Sequence, residues 1–230
     1  METMTSMDEA MAALEAAQEI SDLPVLCSMT IDADGSIYAG GHIFEAAETL
    51  QAMGADAVGI NCSVGPEQLV SIVEGLNNIL TIPMIVKPNA GMPKISDTGE
   101  ASYDMTPEKF SDSMKVLLEK GAKIVGGCCG TTPEFIEKLA KAAPDTVAER
   151  TVEKKTRVSS QTQTVTFGDH VIVCGERLNP TGKKKMKKAL LEERYDELVV
   201  EAVKQSEAGA EVLDVNVGLP GIDEPETMKR

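Results

Sequence analysis

At 230 residues the chain has room for one large domain or two small ones, and its 42% hydrophobic content is that of an ordinary globular protein. A formal charge of −15 argues against nucleic acid and anionic membranes as partners, since both are polyanions. No run reaches the ~18 apolar residues of a membrane span and no charged-then-apolar leader opens the chain; five cysteines without a small secreted framework point to a reducing, cytoplasmic setting.

Residues 6–19 predict a helix, with Ser6 and Glu9 as a capping box and Met7, Ala10, Met11 and Leu14 at helical spacing. Asp22-Leu23-Pro24 ends it, and residues 25–31 predict a strand with Cys27 in its middle, a core position. Asp32-Ala33-Asp34-Gly35 has the opening of a calcium loop without the remaining ligand spacing, so it reads as a turn. His42 reads as a solvated residue at the start of a helix over 43–53. A strand at 57–63 ends in Asn61-Cys62-Ser63, followed by Gly65-Pro66-Glu67 and a helix to residue 80. Residues 83–88 predict another strand, and Asn89 at its end is either a turn residue or one that positions substrate. A helix over 108–120 follows, then the short apolar run Ala122-Lys123-Ile124-Val125.

After that run comes Gly126-Gly127-Cys128-Cys129-Gly130-Thr131-Thr132-Pro133-Glu134, leading into a helix at 135–143 with Thr132 as N-cap and Pro133 at the first position. Cys128 and Cys129 therefore sit on a glycine-rich turn at the carboxyl end of a strand, and Cys62 sits at the end of another. Adjacent strand residues point to opposite faces, so both thiols converge only if Gly126, Gly127 and Gly130 let the backbone bend. Three converging thiols make a zinc site with one position left open, the pattern of a catalytic rather than a structural zinc. Inert buried thiols, a redox disulfide and a phosphate cradle at the helix start remain alternatives; the cradle ranks lower, because no Lys or Arg lies between Gly126 and Glu134.

The segments repeat. Gly54-Ala55, Gly121-Ala122 and Gly209-Ala210 each stop a helix and open a strand, and prolines open helices at 66, 107, 133 and 225. This is the signature of successive βα units, four of them between residues 23 and 143. A (β/α)8 barrel needs eight, and four parallel strands leave two open edges. The expectation is an α/β chain holding the last four βα units of a TIM barrel, with Met1 not the natural start of the domain and no strand ahead of the opening helix.

Residues 144–166 turn charged and then rich in Ser, Thr and Gln, an interdomain linker. Residues 165–167 and 170–172 are expected to pair as a hairpin across Gly168-Asp169, with His170 in its turn. A second pattern begins with a strand near 171, Cys174 in its core, and runs through Gly175-Glu176-Arg177-Leu178-Asn179-Pro180-Thr181-Gly182 into one helix containing Ala189, Leu190, Leu198, Val199 and Val203. Its basic run, Lys183 to Lys188, reads as a solvated face, with a polyglutamate tail as the alternative ligand. The strand at 211–218 follows. Glu176, Asn179, Asp214 and Asn216 are placed at strand ends, where carboxylates and amides suit the ring edge of a pterin.

Gly59-Ile60-Asn61-Cys62-Ser63 together with Gly126 to Glu134 resembles the C-terminal half of the homocysteine S-methyltransferase domain; the family's Gly-rich opening strand motif is absent. Residues 175–182 and 213–218 resemble the first two strands of the pterin-binding domain of the cobalamin-dependent methionine synthase family. The resemblance covers nearly the whole chain. It implies a domain at 1–143, a linker at 144–166 and the start of a second TIM barrel at 167–230. It implies zinc held by Cys62, Cys128 and Cys129, homocysteine as substrate near Asn89, and a pterin held by Glu176, Asn179, Asp214 and Asn216. It further implies methyl transfer from methylcobalamin, regenerated from 5-methyltetrahydrofolate, with cobalamin bound by a region or protein outside this chain. Betaine- or S-methylmethionine-dependent relatives would lack the segment after 166. A chain inactive without its missing parts, or a corrinoid-dependent methyltransferase using another thiol or donor, stays open.

Overall fold

The computed structural model describes residues 1–99, 101–144, 152 and 155–230. They divide into two compact units, Met1–Lys154 with Ser159–Thr164, and Lys155–Val158 with Val165–Arg230. Most of the charged part of the expected linker lies outside the described residues.

In the first unit the elements run α1 (Met7–Ile20), β1 (Leu26–Met29), α2 (Ile43–Ala52), β2 (Ala57–Cys62), α3 (Val70–Asn77), β3 (Met84–Pro88), β4 (Lys94–Ile95), β5 (Ala101–Ser102), α4 (Pro107–Glu119), β6 (Ile124–Val125) and α5 (Pro133–Ala142). Four strands form one sheet in the order β1-β2-β3-β6, and every pair is parallel. Parallel neighbours need a crossover, and helices on the connections supply it. Strand residues buried on both faces explain the near-continuous apolar runs of β1 to β3. Cys27, Met29, Ile60, Met84, Phe110, Met114 and Leu117 are among the fully buried side chains, and Cys27 is core as expected. The four expected βα units are all present.

The local chemistry holds with some shifts. The Ser6 hydroxyl accepts from the Glu9 backbone N–H, and the Thr106 hydroxyl from that of Lys109. Thr132 stands at the N-cap of α5 but makes no side-chain capping bond, so Pro133 and Glu134 mark that start instead. The helix expected from residue 67 opens as a 3-10 turn, Pro66–Leu69, before α3. His42 caps α2: its Nδ1 accepts from the Phe44 N–H, which makes it more than a solvated helix-start residue.

Two features differ from the sequence expectation. Residues before α1 do pair: Met4 bridges Met29 in parallel, and the Thr30 N–H donates to the Met4 carbonyl at 2.8 Å. Four residues with no apolar run gave no periodicity to read. The antiparallel pair β4–β5 is also new, its two-residue strands being too short and polar to register as strands.

β7 (Arg157–Ser159) and β8 (Thr164–Thr166) form a two-stranded sheet of their own, and in the second unit β9 (Cys174–Leu178) and β10 (Val212–Val215) pair in parallel. The expected hairpin across Gly168-Asp169 is therefore corrected: Thr164–Thr166 pairs with the segment before it, and 171–173 is not strand. The single expected helix is two, α6 (Lys184–Leu191) and α7 (Tyr195–Glu207), broken where Glu193 takes φ 53°. A left-handed residue ends a helix whatever the apolar spacing on either side. A short helix, α8 (Glu224–Met228), follows. Leu178, Met186, Leu190 and Val217 form a small core. Cys174 is exposed at the first position of β9, not buried mid-strand, because that strand starts three residues later than its apolar run suggested.

Candidate metal centre

Parallel pairing sets Cys62 opposite Pro88, the last residue of β3. The turn after β6 is then sewn to that same strand end. The Cys128 N–H donates to the Pro88 carbonyl at 2.8 Å, the Ala90 N–H to the Cys129 carbonyl at 2.9 Å, and the Cys129 N–H to Asn89 Oδ1 at 3.1 Å. Thr131 closes the turn, its hydroxyl donating to the Cys128 carbonyl at 2.7 Å. Cys62, Cys128 and Cys129 thereby bring their Sγ atoms within 4.8 Å of one another, with Cys62 and Cys129 at 3.6 Å. All three are free thiols.

The donor set fits zinc. Tetrahedral sulfurs about 2.3 Å from a zinc ion lie about 3.8 Å apart, close to the Cys62–Cys129 separation. Burial pushes the Cys62 thiol up to about 11, and the sulfurs of Cys129 and Cys128 add to that shift against the lowering by its Ser63 backbone contact. A divalent cation would offset the repulsion between thiolates this close.

Of the three glycines expected to bend the backbone, Gly130 does so, while Gly126 and Gly127 do not take a left-handed conformation; a second bend lies outside the glycines. Cys62 and Ser63 carry it, both at φ 65°, a left-handed conformation that disfavours residues with a Cβ. It is held from three sides: the Val64 N–H reaches the Cys62 carbonyl, the Ile31 N–H reaches Ser63 Oγ at 2.8 Å, and the Asn89 N–H reaches the Val64 carbonyl. On the other turn only Gly130 is left-handed, at φ 80°. Gly127 serves differently: a Cβ there would meet the Thr131 side chain at 2.4 Å.

Asn89 is 3% exposed, so its side chain holds the Cys129 turn from beneath. Two residues escaped the sequence reading. Tyr103, just after β5, lies with its ring against Gly130, and a Cβ on Gly130 would strike ring carbons at 2.4–2.5 Å. Burial pushes its phenol up, and a hydrogen bond with Cys129 adds to the shift. A lone tyrosine in a loop carries no sequence signal. Asn61 is buried at 1% exposure beside Cys62; a polar residue interrupting an apolar strand was its available signal.

In the second unit Glu176 lies inside β9 rather than at its end, while Asn179 follows the strand; likewise Asp214 lies inside β10 and Asn216 follows it. Glu176 Oε1 accepts from Asn179 Nδ2 at 2.6 Å and Oε2 pairs with Lys183 at 3.0 Å, which holds the carboxyl below the usual range. Asn216 Oδ1 accepts from the Gly218 N–H at 2.7 Å, and the Asn216 N–H donates to the Leu178 carbonyl at 2.8 Å. Lys185 and Lys188 pair with Glu197 and Glu192, in keeping with a solvated basic face. His170 bonds Glu211 at 2.9 Å.

The profile of the family described as homocysteine S-methyltransferase matches residues 1–143. Methionine synthase of Mycobacterium tuberculosis (strain ATCC 25618 / H37Rv) is 33% identical over 211 residues, 90% of this chain and 18% of that protein. Methionine synthase of Mycobacterium leprae (strain TN) is 33% identical over 208 residues, 86% of this chain and 17% of that protein. The chain thus spans less than a fifth of these relatives. Among solved structures, the homocysteine methyltransferase MmuM of Escherichia coli superposes with a TM-score of 0.50 at 24% identity in its apo form, covering 62% of this chain and 48% of that one. Its metallated form gives the same score and identity with 43% of its chain covered. At that identity the likeness is one of fold, an α/β architecture with a parallel sheet.

Proposed function

The chain belongs to the homocysteine S-methyltransferase family, and from that premise we propose that its first unit is the zinc- and homocysteine-binding part of a cobalamin-dependent methionine synthase. The four βα units are the last four of a (β/α)8 barrel at 1–143, 144–166 is a linker, and 167–230 begins a second, pterin-binding barrel. The observation that carries the reading is three free thiols within 4.8 Å at the carboxyl ends of parallel strands, the face on which such barrels build their sites.

Cys62, Cys128 and Cys129 hold the metal. When bound, zinc supplies a Lewis acid that keeps a thiol ionised at neutral pH. Three protein ligands rather than four leave room for a substrate thiol, which suits homocysteine. Asn89 orients the Cys129 turn against which the substrate lies, and Tyr103 covers that turn and excludes water. The homocysteine sulfur loses its proton and gains a methyl group to become methionine. Methylcobalamin held outside this chain would supply that methyl group, its bond to the carrier breaking as the bond to sulfur forms, and 5-methyltetrahydrofolate would restore it. Glu176, Asn179, Asp214 and Asn216 take the pterin edge, the carboxylates accepting from its N–H groups. The setting is the cytoplasm, with no nucleic acid or membrane as partner; among the described residues no helix is long and apolar enough to cross a membrane.

Elemental analysis of the purified chain tests the reading, beside a Cys128→Ala/Cys129→Ala variant. About one zinc per chain, absent from the variant, is expected, together with calorimetric homocysteine binding that requires the metal. A folded chain that takes up no zinc overturns it.

A further inference from the structure

Asn61 immediately precedes Cys62, and the hydrogen-bonding capacity of its buried amide is fully used. Oδ1 accepts from the Thr3 N–H at 2.8 Å and from Ser28 Oγ at 2.7 Å. Nδ2 donates to Thr3 Oγ1 at 2.8 Å and to Cys128 Sγ at 3.8 Å. An amide has two donors and an acceptor oxygen with two lone pairs, so nothing is left over. Three of these bonds come from β1 and from the segment ahead of α1, both independent of the cysteine turn. They set the amide plane, and the second N–H then points at Cys128 whatever that turn does.

The sheet order makes this contact informative. β3 lies between β2 and β6, so the sulfur of Cys128 reaches past one strand to meet a side chain of the next. The backbone of that turn is already fixed by Pro88 and Asn89; Asn61 fixes its sulfur.

We propose that Asn61 is a positioning residue that holds Cys128 Sγ in the thiol cluster and, by donating to that sulfur, keeps Cys128 a ligand rather than a competing nucleophile. A thiol-alkylating site faces a selectivity problem: its ligands are themselves thiolates. A hydrogen bond withdraws electron density from a thiolate and blunts its attack, so the donor from Asn61 marks Cys128 as the sulfur not to be alkylated. Cys129 is exposed, and its sulfur lies 3.6 Å from that of Cys62.

The inference rests on the metal reading above, and the test separates the two. The zinc-loaded chain is treated with iodoacetamide, in which sulfur displaces iodide, and each cysteine's labelling rate is followed by peptide mass mapping. In Asn61→Ala and Asn61→Asp, labelling of Cys128 rises about tenfold, the scale of one hydrogen bond to a charged group, while Cys129 is unchanged. Asn61→Asp keeps acceptor oxygens for Thr3 and Ser28, which covers the case in which Asn61→Ala fails to fold. Ser28→Ala removes one of the three bonds that set the amide plane but leaves the N–H on Cys128 in place, so the Cys128 rate rises by less than in the Asn61 variants. A Cys128 rate within about twofold of the parent in the folded Asn61 variants, or an equal rise in Ser28→Ala, overturns the proposal. If the parent takes up no zinc, the metal reading fails by itself. The positioning claim is then read from the Asn61 side-chain amide proton signals in the metal-free chain: they shift on Cys128→Ser, and unmoved signals overturn it.

Discussion

At the residue scale the site depends on backbone conformations that side chains usually avoid. Gly130 is needed twice, for its φ of 80° and for the Tyr103 ring against it. Gly130→Ala is expected to cost about 1–3 kcal/mol and to displace Tyr103 from the cysteine turn; chemical denaturation and zinc content together check it, since strain alone would lower stability and leave zinc uptake intact. Cys62 gives a pH dependence. Its thiol is pushed up to about 11 mainly by burial, so the metal-free chain keeps that proton throughout the neutral range, and zinc must displace it. Apparent zinc affinity therefore rises with pH between 6 and 8, by about one decade per unit for each proton released; competition titration with a chromophoric chelator measures the slope, and a flat profile contradicts thiolate ligation. The same shift carries a stability consequence without metal. An unfolded thiol ionises near pH 8.5 while the folded one holds its proton, so the metal-free chain loses stability as pH rises from there toward 11, and zinc removes that loss.

At the element scale the cysteine turn is placed by what flanks it. β6 contributes only two residues to the sheet, too few to hold the turn alone. The anchor is α5, which packs beside α4 through Phe110 and Phe135, their rings edge to face at 5.5 Å. Phe110 is fully buried, so Phe110→Ala is expected to destabilise the first unit by about 3–5 kcal/mol and to loosen the turn that α5 caps. Equilibrium denaturation reads the first effect, and faster iodoacetamide labelling of Cys129 reads the second. Element identity in this unit was legible because each strand is a short apolar run and each helix has a Pro, Ser or Gly boundary. What was not legible had no such signal. The pairing of residues 1–4 with β1, and β4–β5, involve too few residues for a period, and the break at Glu193 lies between two stretches that share one apolar spacing. Thr164–Thr166 pairs with the polar segment before it, although the Gly-Asp turn on its other side is the stronger local signal.

At the scale of the whole molecule the two units differ in how much they bury. The first closes one extensive apolar core that includes its strands; the second rests on a handful of side chains, with Val171, Val173, Val199, Val200 and Val203 exposed. Ligand binding stabilises only what it binds, by about 2.7 kcal/mol at a hundredfold excess over Kd. Zinc is expected to slow amide exchange in the first unit by that order and to leave the second unchanged. Exchange mass spectrometry with and without chelator checks it, and equal protection in both units would contradict a site built from Cys62, Cys128 and Cys129 alone.

The sequence by itself determined the four βα units, the identity of the three cysteines and their place at strand ends, because these depend on local periodicity and residue chemistry. Only the tertiary structure decided that Cys62 and Ser63 share the bending with Gly130 while Gly126 and Gly127 do not, that Asn89 acts through the backbone of Cys129, that Asn61 reaches the Cys128 sulfur and that the Tyr103 ring lies on Gly130. Those contacts join residues up to 67 positions apart in the chain, and a contact across that distance is created by strand order and register, which no local pattern encodes.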